Sequence, residues 1–170
     1  FKIDKSNKDA RDTLLNFSEM LRYQLYECGS DLIEIEKEVS YIKNYIEIQM
    51  LRKTERYSCD LKVTDRVKRF QIAPLLLAPF VENAFKHISN HASGKNSIHI
   101  ELDYVNSEFI FSISNDKDNH SVTGLMENNG IGLADVKRRL ALLYPDKHEL
   151  EITNSPDRFS VKMKMKVENE

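Results

Sequence analysis

The spacing of apolar residues changes partway along this chain, and that change limits the folds open to it. Early on, Leu14, Phe17, Leu21 and Leu25, with Ala10 before them and Cys28 after, recur at helical spacing, and Gly29 supplies a stop. A second series, Leu32, Ile35, Val39, Ile42, Ile46 and Met50, advances in steps of three and four with charged residues between. From Ser97 onward, apolar and polar residues alternate instead, over 97–104 and again over 109–114, and Asn106-Ser107 turns the two runs into a hairpin.

Filling in the rest predicts an ordered series of elements. Helices are expected over about 7–27 and 35–53. Asp31-x-x-Glu34 has the form of a capping box that would start the second helix earlier, whereas Leu32-Ile33-Glu34-Ile35 suits a short strand before it. A strand follows at 57–64, then a helical region over 74–90, in which a tighter turn from Pro74 leads into a helix with Pro79 in its first turn. A polar stretch over 115–129 ends at Gly130, where a helix begins and runs to about Tyr144 before Pro145 stops it. Strands over 149–153 and 158–167 meet at Asn154-Ser155-Pro156-Asp157. This order predicts an α+β fold, a two-layer α/β sandwich with helices on one face of a mostly antiparallel sheet, preceded by an N-terminal helix.

Composition narrows the function classes. A chain of 170 residues, 41% hydrophobic, supports one main domain. Its net charge of −2 provides no global attraction to nucleic acid or anionic lipid, so any anion site must be local. Cys28 and Cys59 lack zinc or redox spacing and read as reduced thiols. No apolar run approaches the roughly 18–20 residues that span a bilayer. Phe1-Lys2-Ile3-Asp4 lacks an initiator methionine, which suggests a fragment of a longer protein.

Three segments carry chemistry. In Pro79-Phe80-Val81-Glu82-Asn83-Ala84-Phe85-Lys86-His87, helical spacing puts Leu77, Val81, Ala84, Phe85 and Ile88 on a packing face and Glu82, Asn83, Lys86, His87 and Asn90 on a polar one. A carboxamide oxygen suits Mg2+ that also carries phosphate, and a neighbouring ammonium suits the phosphates, although the same face would serve as plain solvated surface. Gly130-Ile131-Gly132-Leu133 opens a helix, where free N–H groups and the helix dipole favour anions. Ser114-Asn115-Asp116 ends an apolar strand and offers an amide or carboxylate to a base amine, or forms an ordinary strand-ending turn.

In this order the three segments resemble the Bergerat ATP-binding fold of histidine kinases, gyrase and MutL, over roughly 31–170. More closely, Leu76-Leu77-Ala78-Pro79-Phe80-Val81-Glu82-Asn83-Ala84-Phe85-Lys86-His87, the stretch from Gly130 to Leu140 and Leu143-Tyr144-Pro145 resemble the LytS/YehU-type sensor histidine kinases, as do Leu21-Arg22-Tyr23-Gln24-Leu25-Tyr26 and the stretch from Tyr41 to Gln49. The resemblance implies ATP and Mg2+ as cofactors. Asn83 would be the metal ligand, Glu82 and Asn83 the catalytic residues, Lys86 a phosphate contact and His87 a ribose or phosphate neighbour. Asn115 would read adenine, while Gly130, Ile131, Gly132 and Leu133 would line the phosphates and 116–129 would form a lid. Residues 1–30 would be the distal part of the dimerisation and phosphotransfer helices, and 31–170 the catalytic domain.

The sequence departs from the family pattern at two places. Asn115-Asp116-Lys117-Asp118 lacks the usual Asp followed by glycines, and a neutral amide accepts a hydrogen bond more weakly than a carboxylate. Pro79 stands four residues before Asn83, where gyrase-type ATPases carry a glutamate base, which favours transfer over hydrolysis. The phosphorylated histidine of the family lies in a motif resembling His-Phe-Leu-Phe-Asn, and none of His87, His91, His99, His120 or His148 has that context. The expected parent is a homodimeric kinase, anchored in a membrane with this portion cytoplasmic, that phosphorylates its own histidine and passes the group to a response-regulator aspartate. A serine kinase of the anti-sigma-factor type and a nucleotide-free helical scaffold are the alternatives.

Overall fold

The computed structural model describes residues 5–90, 96–118 and 131–167. Its helices are α1 (Lys5–Arg22), α2 (Ile35–Leu51), α3 (Ala78–His87) and α4 (Ile131–Leu143), and its strands are β1 (Ile33–Glu34), β2 (Tyr57–Val63), β3 (Gln71–Ile72), β4 (Asn96–Val105), β5 (Glu108–Asp116), β6 (His148–Asn154) and β7 (Arg158–Lys166). The main sheet has the order β2-β4-β5-β7-β6, antiparallel except that β2 runs parallel to β4. The α+β sandwich expected from the pattern is the one observed.

Alternation along the strands builds the core. Ile98, Ile100 and Leu102 of β4, Phe109, Phe111 and Ile113 of β5, and Val161, Met163 and Met165 of β7 are buried on one face. Against that face lie Val39, Ile42 and Ile46 of α2, Phe80, Val81, Ala84 and Phe85 of α3, and Leu133, Val136 and Leu140 of α4. Phe80 meets Phe111 at a centroid distance of 5.7 Å, and Tyr45 meets Phe85 edge-on at 5.8 Å. The opposite face carries His99, Glu101, Ser112, Ser114 and Lys162 around an open depression.

Several boundaries depart from the expectation for identifiable reasons. The Asp31–Glu34 capping box does not form: Glu34 is the N-cap without a side-chain cap bond, and its carboxylate instead accepts from Gln71 Nε2 at 2.7 Å. β1 pairs with β3, Ile33 opposite Ile72, which keeps the start of α2 at Ile35. β3 is too short to leave a period in the sequence. Helix α3 begins at Ala78, with Pro79 in its first turn and a turn over Pro74–Leu77 leading into it, both as expected, and Leu75 in that turn has a positive φ of 51°. Asn106 and Ser107 both take positive φ, 53° and 64°, as the primed hairpin turn requires.

α1 continues into a π-helical turn, Tyr23–Glu27. It packs antiparallel to α2 through a largely polar seam: Asn16 donates to Glu47 at 2.6 Å, Gln24 to Tyr41 at 2.9 Å, and Lys37 pairs with Glu27 at 2.7 Å. The more apolar stripe stays outside, Leu14 being 65% exposed and Leu25 73%. Among the described residues no helix is long and apolar enough to cross a membrane.

Candidate functional site

Helix α3 is a short helix with one buried face, so its polar row projects away from the sheet as the spacing predicts. Glu82 and Lys86 are exposed, while Asn83 and His87 are half-buried. Partial desolvation by its neighbours, despite its exposure, pushes the Glu82 carboxyl up. Its charge also reaches α2: Tyr45 is pushed up to about 12 by burial and then by Glu82, and Tyr41 is raised by burial with Glu82 contributing. Glu82 therefore belongs to the α2 side of the row. His87 is pulled below the ordinary imidazole value by burial and by the Lys86 charge, which favours the neutral ring at neutral pH.

The C-terminal end of α3 is stitched to the end of β5. Ser89 N–H donates to Asp116 O at 2.8 Å, and the Asn115 amide nitrogen donates to Asp116 O at 3.0 Å and to His87 O at 3.5 Å. Those two carbonyls orient the carboxamide, leaving Asn115 Oδ1 as the acceptor. That oxygen is buried and, among the described residues, has no hydrogen-bond partner. An orphaned buried carbonyl costs on the order of 1–3 kcal/mol, so a donor brought by a ligand would be well received here. Asp116 faces the other way and accepts from Ser97 N–H at 2.8 Å and Ser97 Oγ at 2.6 Å. Fully buried Asn115 and engaged Asp116 thus divide the two roles that the sequence left open between them.

The N-terminal end of α3 meets the start of α4. A Cβ on Gly132 would lie 3.8 Å from Pro79 Cβ, an ordinary contact, and the φ of Gly132 is not in the left-handed region. Gly132 lies in the first turn of α4, where helix geometry leaves the N–H groups without intrahelical partners. Leu133 places its side chain in the core. Gly130, the side chain of Ile131 and lid positions 119–129 lie outside the described residues, as do His91 and His120. Of the expected site residues, then, His87 and Asn115 meet at the C-terminal end of α3, Asn83 lies one helical turn before His87, and Gly132 stands near the N-terminal end.

Sequence reasoning missed the residues that hold α3 in place. Glu38 of α2 is fully buried. Its carboxylate accepts from Leu77 N–H at 2.9 Å, from Leu75 N–H at 2.9 Å and from the Tyr23 hydroxyl. Burial pushes the Glu38 carboxyl up against the opposing pull of those hydrogen bonds. Tyr23 is also raised, by burial and then by the Glu38 charge, so the phenol keeps its proton and donates. On the far side, Arg139 of α4 donates to Pro74 O at 2.7 Å and Leu75 O at 3.0 Å, and Tyr144 Oη accepts from Ala73 N–H at 2.7 Å. The only sequence signal was a glutamate at a position facing apolar neighbours in α2. Among the described residues no group of three or more His, Cys, Asp or Glu side chains could hold a metal ion by itself.

Comparison with known proteins gives three findings. Residues 2–57 match the family described as Histidine kinase. The sensor protein LytS of Staphylococcus haemolyticus is 25% identical over 159 residues, 88% of this chain and 27% of that protein, so the chain spans about a quarter of this relative's length. Two solved structures share the fold: the mycobacterial sensor histidine kinase MprB, with a TM-score of 0.56 at 12% identity, covers 82% of this chain and 98% of its own, and full-length ShkA in complex with AMPPNP, with a TM-score of 0.60 at 12% identity, covers 98% of this chain and 38% of its own.

Proposed function

Because the chain is a LytS-type histidine kinase sequence with the fold of histidine kinase catalytic domains, we propose that it is the ATP-binding catalytic portion of a two-component sensor kinase. In this reading 1–30 are the distal part of the dimerisation and phosphotransfer helices and 31–170 the catalytic domain. The γ-phosphoryl group of ATP passes to a histidine of the same protein outside these residues, and from there to a response-regulator aspartate. The observation that carries the reading is the buried Asn115 Oδ1, without a partner among the described residues, beside the polar row of α3.

Each residue then has a physical task. Asn115 Oδ1 accepts a hydrogen bond from the adenine amine. Lys86 offsets phosphate charge, and the free N–H groups at the start of α4, including that of Gly132, hold phosphate oxygens. Asn83, a single neutral oxygen donor beside an ammonium, suits Mg2+ that already carries phosphate and water, and such an ion supplies neutralisation of the charge on the transferring group. Glu82, whose carboxyl is raised by partial desolvation, accepts the N–H proton of the incoming imidazole while the other ring nitrogen forms the N–P bond and the bond to the ADP oxygen breaks. Pro79 offers no base to a water molecule, which supports transfer over hydrolysis.

Titration of the chain with a non-hydrolysable ATP analogue and Mg2+ tests the reading. Saturable binding that Asn83→Ala abolishes, with the fold intact by circular dichroism, is expected. No binding at millimolar nucleotide would sink the kinase reading in favour of a scaffold.

A further inference from the structure

The turn that launches α3 is held from both sides by helices that belong to different parts of the chain. Leu75 sits at φ 51°, a backbone state that is unfavourable for leucine and persists only where its surroundings impose it. Its N–H is shared between Glu38 Oε2 at 2.9 Å and Tyr23 Oη at 3.2 Å, and its carbonyl accepts from Arg139 at 3.0 Å. Tyr23 is the first residue of the π-helical turn that ends α1, and its ring packs against that of Tyr41, tilted by 36° with centroids 4.9 Å apart. π-helical turns are short and rare, and they occur where a helix changes its phase. Arg139 lies on α4, whose first turn abuts Pro79. A displacement at the end of α1 therefore reaches the first turn of α3 through one carboxylate, and a displacement of α4 reaches the same peptide from the other side.

We propose that Tyr23, Glu38 and Arg139 are positioning residues that clamp the Pro74–Leu77 turn between the end of α1 and α4, so that the placement of α3, and with it Asn83, depends on both helices. The consequence for nucleotide rests on the function proposed above; the clamp itself does not. The hydrogen bonds that the three residues make to this region go to backbone groups of the turn and of the first residue of α3.

The test reads native-state structure, which mere loss of stability would leave unchanged. Backbone and side-chain amide 1H–15N spectra of the whole chain, without nucleotide, are compared for the wild type, Tyr23→Phe, Arg139→Lys and the double variant. Each single variant is expected to shift the amides of Leu75–Leu77 and of α3, including the Asn83 side-chain amide. The double variant is expected to depart from the sum of the singles, since both act on one peptide. Unmoved α3 amides in both single variants, or strict additivity in the double, would overturn the clamp. Should Tyr23→Phe fail to fold, Arg139→Lys decides alone: shifts across the turn at Tyr23–Glu27 support the clamp, and unchanged resonances there refute it. Nucleotide titration of the wild type separates the two ideas, because absence of binding removes the proposed function and leaves the amide-shift result standing.

Discussion

At the scale of single residues, Asn115 shows how much a site depends on which way one side chain is turned. Two backbone carbonyls take its amide hydrogens and leave Oδ1 without a partner among the described residues, so an aspartate would be the wrong residue on this backbone. Asn115→Asp should lose both donated bonds and set a carboxylate against two carbonyls, lowering stability by about 1–3 kcal/mol in urea unfolding without nucleotide. His87 makes a prediction about pH. Its folded-state value lies below the ordinary 6.5, so the unfolded chain binds more protons around and below that pH, and its contribution is present above 6.5 and lost as pH falls. The unfolding midpoint should therefore drop between pH 6.5 and 5, and His87→Gln should flatten that slope. The presence of Asn83, His87 and Asn115 as polar residues next to apolar runs was legible in the sequence. The orientation of Asn115 was not, because His87 lies 28 residues away along the chain.

At the scale of elements, local chemistry and long-range contacts divide the work. Pro79 in the first turn of α3, the Asn106-Ser107 hairpin and the end of α4 near Pro145 follow from backbone preferences that act over a few residues, and all three were readable. Ser107 at φ 64° is a cost accepted by that hairpin, and Ser107→Gly should raise stability by about 1 kcal/mol, measured as a higher midpoint in denaturant unfolding with the same slope. The turn from Pro74 that leads into α3 was readable as well, because Pro79 belongs in a first helical turn; what holds that turn was not. In the fold Leu76 and Leu77 fill the core while Glu38 takes the N–H groups of Leu75 and Leu77. Phe80, packed on Phe111 and 2% exposed, anchors the helix to the sheet. Phe80→Ala should cost about 3–5 kcal/mol, enough to leave a large unfolded fraction in a marginally stable domain.

At the scale of the whole molecule, the notable feature is which face of α1 is covered. The stripe of Leu14, Phe17, Leu21 and Leu25 that marked the helix in the sequence faces outward, while Asn16, Tyr23, Gln24 and Glu27 meet α2. Contiguous exposed apolar residues on a helix mark a surface for association. Leu14→Ser with Leu21→Ser should leave the unfolding midpoint of the α/β core unchanged, since neither side chain is part of that core. By itself the sequence determined the types of the longer elements, the alternation that gives the sheet its buried face and the polar row of α3, because periodicity and the constraints of proline and of left-handed turns act between near neighbours. Only the tertiary structure decided that β2 runs parallel to β4, that the polar side of α1 is the covered one, and that Glu38 holds a turn 37 and 39 residues downstream. Those choices rest on contacts between remote positions, whose energies no single segment carries.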